Sequence, residues 1–144
     1  MTDDLARITL VRRIEWSDTD AAGVYHWSTV FRLVEAAEAA LHEKLGTRDY
    51  TFGRTPRVHV SCDFRRELHF YDAVRVDFAV AGVGRSSIRY AFTLYRGDEE
   101  EPAAEGEMVG VHVTGQPGGS SAPWPTEIRQ WLTSGGDLGR VDQS

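Results

Sequence analysis

A single long amphipathic stretch among five period-two segments limits what this chain can fold into more than any other feature. Between Trp27 and Leu45, the residues Val30, Phe31, Val34, Ala37, Leu41 and Leu45 recur at steps of one, three or four, which places them on one helical face. Ser28 or Thr29 stands at the cap or in the first turn, and Gly46 stands where a left-handed C-terminal residue belongs. A first strand is expected over 7–16, where Ile8, Leu10 and Ile14 are interrupted by Arg12, Arg13 and Glu15. After the helix, Val58, Val60, Cys62 and Phe64 alternate with polar residues, as do Val74, Val76, Phe78 and Val80, and then Ile88, Tyr90, Phe92 and Leu94. A last segment presents Val109, Val111 and Val113, with Met108 out of phase. Alternation of this length predicts half-buried strands. The turn-rich connections at 82–85 and 97–102 predict that the last three strands form an antiparallel meander. This element order predicts an α+β domain whose sheet has one long helix to cover it and exposed edges that favour self-association.

Composition narrows the possibilities further. A length of 144 residues suits one domain, expected over 1–115, followed by a Gly/Pro/Ser linker, a short helix opening at Pro125 and a disordered tail within 116–144. No apolar run approaches the roughly 20 residues of a membrane span, and the acidic Met-Thr-Asp-Asp-Leu start lacks the apolar core of a secretory signal. The lone Cys62 rules out an internal disulfide and fits a reducing, cytoplasmic setting. A formal charge of −6 argues against nucleic acid as a partner. The five histidines and one cysteine show no metal-ligand spacing. Gly82-Val83-Gly84 lacks the third glycine of a dinucleotide fingerprint, and no Gly-x-Ser-x-Gly elbow occurs.

The chemistry concentrates just ahead of the helix, in Asp18-Thr19-Asp20-Ala21-Ala22-Gly23. A carboxylate in a glycine-containing loop beside a helix N-terminus sets a base or nucleophile next to unpaired backbone N–H donors. That pairing suits acyl transfer or hydrolysis, because the donors can hold a developing oxyanion. Asp18 either orients the loop or is solvated. Glu35 and Glu38, three residues apart on nearly one helix face, read as solvated carboxylates or as groups that meet a ligand. Arg85, Ser86 and Ser87 at a turn offer an Arg fork and hydroxyls suited to phosphate, and Arg57, His59, Arg65 and Arg66 form a second positive patch. Cys62, on the apolar face of its strand, reads as inert packing.

Asp20, Gly23 and Glu35, with the acidic residue 15 positions after the loop Asp, give the segment the spacing of a known catalytic one. It resembles that of the hotdog-fold thioesterase superfamily, of the 4-hydroxybenzoyl-CoA thioesterase type. The resemblance implies a hotdog fold, a curled antiparallel sheet wrapped around one long central helix. It implies an acyl-CoA thioesterase that hydrolyses an acyl-CoA to carboxylic acid and free CoA, with Asp20 as nucleophile or general base. The oxyanion donor would be the backbone N–H near Trp27, with Gly23 allowing close approach, His26 beside it and Glu35 toward the acyl pocket or a partner subunit. Arg85, Ser86 and Ser87 would meet the CoA arm, while Tyr25, Phe31, Trp27, Val34 and Phe64 would line an acyl pocket. No metal or redox cofactor is implied, since coenzyme A arrives as part of the substrate. Homodimers or homotetramers with sites at the subunit interface are the family habit. Two departures stand out: the family's histidine lies one place beyond His26, where this chain has Trp27, and of a Pro and Gly-Asp pattern around Leu68 to Asp72 only Asp72 remains. The alternatives are hydrolysis of an acyl-carrier-protein thioester, a non-catalytic acyl-thioester-binding module and, as a minor option, enoyl-thioester hydration.

Overall fold

The computed structural model describes residues 4–115 and 119–143. Strand β1 (Arg7–Arg13) leads through a 3-10 turn at Trp16–Asp18 into the long helix α1 (Thr29–Leu45) and the single-turn α2 (Arg48–Thr51). Strands β2 (Arg57–Phe64), β3 (Ala73–Val83), β4 (Ser87–Arg96) and β5 (Pro102–Val111) follow, then the two-residue strands β6 (Val113–Thr114) and β7 (Ser120–Ser121). Helix α3 (Thr126–Ser134) and strand β8 (Asp137–Gln143) complete the chain. The main sheet has the order β2-β5-β4-β3-β1-β8. The expected meander β3-β4-β5 is present and antiparallel, and β1 joins β3 in the same sense. With α1 lying over the sheet, this is the hotdog arrangement.

The sheet's inner face follows the period-two pattern. Val76, Phe78 and Val80 of β3 face Leu94, Phe92 and Tyr90 of β4 in register, all buried as Val74 is, and Phe78 stacks on Tyr90 at 4.8 Å between centroids. Against this face α1 buries Val30, Leu33, Val34, Ala37 and Leu41, the valines and leucines each worth about 1.5–3 kcal/mol of transfer free energy. Gly46 ends the helix at φ 79°, the left-handed C-terminal residue expected, whereas Ser28 makes no side-chain cap.

Three expectations need correction. On β5 the inward residues are Ala104, Gly106, Met108 and Gly110, paired with Leu94, Phe92, Tyr90 and Ile88, so Met108 is in phase and the valines face outward. Gly106 is required there: a Cβ would stand 2.9 Å from the Phe92 ring and 2.0 Å from the Ser61 carbonyl oxygen. Second, β2 is not half-buried. Its inward side shares a face with Met108 and Ala104, yet Val60 and Phe64 remain 41% and 46% exposed, because α1 packs over β1 and β3 and leaves this edge strand uncovered.

Third, the last residues are not a disordered tail. β8 pairs in parallel with β1, so the sheet is mixed rather than wholly antiparallel, and Trp124, Ile128 and Leu132 enter the main core. The linker positions 116–118 lie outside the described residues. Among the described residues no helix is long and apolar enough to cross a membrane.

Candidate active site

The loop between β1 and α1 is built around its two aspartates. Asp20 Oδ1 accepts the N–H groups of Ala22 (2.8 Å) and Val24 (3.2 Å), and the Asp20 carbonyl accepts Gly23 N–H at 3.0 Å. This closes a tight turn that Gly23 enters at φ 79°, a conformation costly for other residues. The side chain of Asp20 is exposed, and its second oxygen has no protein partner among the described residues. One carboxylate oxygen is thus fixed by two donors and the other faces outward. The 68–70 segment backs the loop: Phe70 N–H donates to the Gly23 carbonyl at 2.9 Å, and Tyr25 N–H to that of Leu68 at 2.8 Å.

Asp18 is buried rather than solvated. Its Oδ2 accepts Glu15 N–H at 2.8 Å, and its carboxylate is ion-paired with Arg32 on α1. Its carbonyl accepts both His26 N–H (2.8 Å) and the Thr29 hydroxyl (2.9 Å). This one residue therefore sets the loop against the start of the helix. At that start, the N–H groups of Trp27 and Ser28 have no acceptor among the described residues, as expected for helix N-terminal donors. Trp27 is 67% exposed and meets Phe31 edge-on at 6.0 Å, and the His26 ring is exposed beside it.

Tyr25 is buried and meets Phe64 of β2 at 6.4 Å between centroids. Among the described residues its hydroxyl is the one buried side-chain N or O atom without a hydrogen-bond partner. Burial, with a further push from Cys62, raises it to about 12. Cys62 is half-buried beside it rather than sealed in the core, its thiol raised chiefly by burial.

The helix face toward β2 carries a polar cluster. Exposed Glu35 lies 3.5 Å from the Arg57 guanidinium, which also pairs closely with Glu38. Glu38 is only 6% exposed, and burial outweighs the opposing pull of Arg57 to lift its carboxyl to about 7. The Tyr90 hydroxyl borders the same small cavity as Glu38 and lies 2.8 Å from His42 Nε2, while His42 Nδ1 lies 2.7 Å from the Thr47 hydroxyl. Burial pushes His42 down to about 4, so the ring is neutral. His42 and Tyr90 were missed as site candidates because they sit within apolar periodic runs. The available signal was the i, i+4 step from Glu38 to His42.

The anion-binding candidates separate. The patch of Arg57, His59, Arg65 and Arg66 is neutralised, since each faces a carboxylate: Glu38 and Glu35, Glu107, Glu105 and Glu99 in turn. At the β3–β4 turn, exposed Arg85 pairs with no carboxylate among the described residues. The C-terminal segment braces that turn: Trp124 N–H and the Trp124 indole donate to the carbonyls of Arg85 and Ser87, both at 3.0 Å. His112 N–H donates to the Ser86 carbonyl at 2.6 Å, and the Arg129 guanidinium to the carbonyl of Val83 at 3.3 Å. The structure does not bring this turn to Asp20 within one chain. The Asp20 loop rests on residues just before β3 and the Arg85 turn follows it, so the 11 residues of β3 hold them roughly 30 Å apart. Among the described residues no group of three or more His, Cys, Asp or Glu side chains is arranged for a metal.

Known proteins share this architecture. A 1,4-dihydroxy-2-naphthoyl-CoA hydrolase from Synechococcus elongatus is 28% identical over 127 residues, covering 84% of this chain and 91% of its own. The crystal structure of a 1,4-dihydroxy-2-naphthoyl-CoA thioesterase from Synechocystis superposes with a TM-score of 0.78 at 19% identity, covering 88% of this chain and 95% of its own. A 4-hydroxybenzoyl-CoA thioesterase variant complexed with 4-hydroxybenzoyl-CoA gives 0.77 at 16% identity, with coverage of 88% and 99%. Residues 14–132, which run from just after β1 into α3 and include both aspartates of the loop, match the thioesterase-like superfamily, and the chain belongs to it.

Proposed function

We propose that this protein is an acyl-CoA thioesterase that hydrolyses an acyl-CoA, in the first instance a hydroxylated aryl-CoA, to the carboxylic acid and free CoA. The observation that carries the proposal is Asp20, one oxygen fixed and the other outward, in the loop that Asp18 ties to the start of α1, where the N–H groups of Trp27 and Ser28 have no acceptor among the described residues. The thioester carbonyl oxygen sits at those donors, which stabilise the negative charge that grows on it. Removing one such donor typically costs about 10²–10³ in rate. Asp20 acts on the carbonyl carbon directly, or it takes a proton from the water that does. The C–S bond then breaks, and the CoA thiolate leaves and is protonated. In the direct route this leaves an acyl anhydride on Asp20, which water hydrolyses to release the acid and restore the carboxylate. The reaction uses water and needs no resident cofactor. The relatives' substrates, both hydroxyaryl thioesters of CoA, support the choice of substrate class.

Two copies complete the site in this proposal. The Phe64 end of β2 lies at the Asp20 loop, through the contact with Tyr25, and the Arg57 end lies at the level of the β3–β4 turn. Antiparallel pairing of two β2 edges about a two-fold axis brings the Arg85 turn of one copy to the Asp20 end of the other. Arg85, Ser86 and Ser87 then meet the CoA phosphates of the substrate held by the opposite copy, and His26, Glu35 and Phe31 line the approach. The assembly is a homodimer or a homotetramer built from such dimers, in a cytoplasmic setting.

The test is thiol release from a panel of aryl- and alkyl-CoAs by the native protein and by Asp20→Asn. Loss of turnover by about 10² or more in a variant that folds and assembles normally supports the assignment. Undiminished turnover moves the catalytic role to Glu35 or Glu38. If no CoA thioester is cleaved but an acyl-carrier-protein thioester is, the substrate is the carrier protein. Binding without cleavage of either makes the chain an acyl-thioester-binding module.

A further inference from the structure

Phe31, Glu35, Glu38 and His42 lie at steps of four, three and four along α1, so they form one stripe, and it extends back to Trp27. The stripe faces the uncovered inner side of β2, where Phe64, Cys62 and Val60 run toward Arg57. At the Asp20 end the two elements present aromatic and aliphatic side chains: Tyr25 against Phe64, Trp27 against Phe31, and the part-exposed Val60. At the other end Arg57 crosses from β2 to the helix. Against Arg57 is a cavity of about 60 Å³, lined by Glu38, His42, Tyr90 and Thr55 and bordered by exposed Phe52 and Gly53. A space of that size holds one or two water-sized groups, so it takes a substituent and not a ring.

The polarity of this pocket is specific. Two carboxylates face one guanidinium, so the pocket has no surplus positive charge with which to hold an anion. The hydrogen-bonded chain Tyr90–His42–Thr47 lies beside Glu38, so the one hydroxyl proton of Tyr90 has two candidate acceptors, His42 and Glu38. If Tyr90 donates to Glu38, His42 Nε2 must carry the ring proton. If Tyr90 donates to His42, a Glu38 oxygen is left open to a donor from the cavity. An O–H group entering past Arg57 satisfies that oxygen.

We propose that the cavity against Arg57 receives a hydroxyl at the far end of the acyl group, with Glu38 as its acceptor, making Arg57, Glu38 and Tyr90 specificity-determining residues. This rests on the acyl-CoA reading above. The ligand class is an acyl thioester with an apolar body and a neutral hydroxyl distal to the carbonyl. Glu38 stands eleven positions after Trp27, about 16 Å at helical rise, and the lean of side chains toward the N-terminus shortens the reach.

The experiment measures kcat/KM by thiol release for matched pairs that differ only in a hydroxyl roughly 10 Å or more from the carbonyl, the reach the helix demands: 4'-hydroxybiphenyl-4-carbonyl-CoA against biphenyl-4-carbonyl-CoA, and 10-hydroxydecanoyl-CoA against decanoyl-CoA. The native protein is expected to favour the hydroxylated member of at least one pair by about 10-fold or more. In the double variant Glu38→Met/Arg57→Met, which removes both charges together, that ratio is expected to fall to near one. Tyr90→Phe, which removes a single oxygen, is expected to lower the ratio as well and covers the case of a double variant that does not fold. A native ratio near one in both pairs, or a ratio unchanged in the variants, overturns the proposal while the thioesterase reading stands. Absence of thiol release from all four substrates by the native protein overturns both. Asp20→Asn should lower both members of a pair equally and leave the ratio in place.

Discussion

The buried carboxylate of Asp18 and the exposed guanidinium of Arg32 form an ion pair that joins the loop carrying Asp20 to the first turn of α1. The two partners differ in what their removal leaves behind. Arg32→Met strands a buried carboxylate with the Glu15 N–H as its remaining side-chain partner, and is expected to cost about 1–3 kcal/mol. Asp18→Asn keeps an acceptor for that N–H and leaves Arg32 to water, so its cost should be under about 1 kcal/mol. Urea unfolding at pH 7.5 orders the two. Equal losses, or a larger loss for Asp18→Asn, would contradict the account.

Tyr25 carries the opposite kind of prediction, a substitution that helps. Its enclosed hydroxyl has no partner among the described residues, and an unsatisfied buried hydroxyl costs about 1–3 kcal/mol. Tyr25→Phe removes that oxygen and keeps the ring against Phe64, so the variant should gain about 1 kcal/mol. Thermal melting of the two proteins at one concentration checks this, and a lower melting temperature for the variant would show that the hydroxyl has a partner in solution.

Glu38 and His42 tilt stability in opposite directions with pH. Glu38 is lifted from 4.5 to about 7, so its contribution is fully present below pH 4.5 and is lost as pH rises through 7. His42 is pushed from 6.5 to about 4, so its contribution is present above pH 6.5 and is lost as pH falls through 4. Between pH 4.5 and 6.5 the two slopes oppose each other. Glu38→Gln should therefore leave stability rising with pH in that window, and His42→Asn should leave it falling up to about pH 7. Denaturant midpoints measured every half unit of pH distinguish the variants, and parallel curves would sink the idea.

Much of this architecture was legible in the residues because periodicity reports burial directly. The α1 stripe, the β3–β4–β5 meander and the Gly46 stop all follow from local pattern and turn chemistry. The loop around Asp20 was legible for a related reason, since a glycine at positive φ and an aspartate folding onto its own backbone are short-range events. What depended on distant partners was not. The exposure of Val60 and Phe64 is decided by where α1 lies, not by the alternation of β2. Glu38 reads as a surface carboxylate until Arg57, 19 residues on, folds over it. The sequence Asp137–Gln143 is too polar and glycine-broken to read as a strand, and it becomes one because β1 offers an edge beside α3.

The two rims of the main sheet differ in kind. β8 carries Asp137, Arg140 and Asp142 and turns through Gly139 at φ 88°, so its outer rim is charged and irregular. β2 shows Val58, Val60 and Phe64. A ribbon with one inviting rim and one forbidding rim can be lengthened once and then not again. Two such molecules that meet along β2 show only their β8 rims to the next arrival, so the route by which open sheets grow into fibres is shut by the last seven strand residues of the chain.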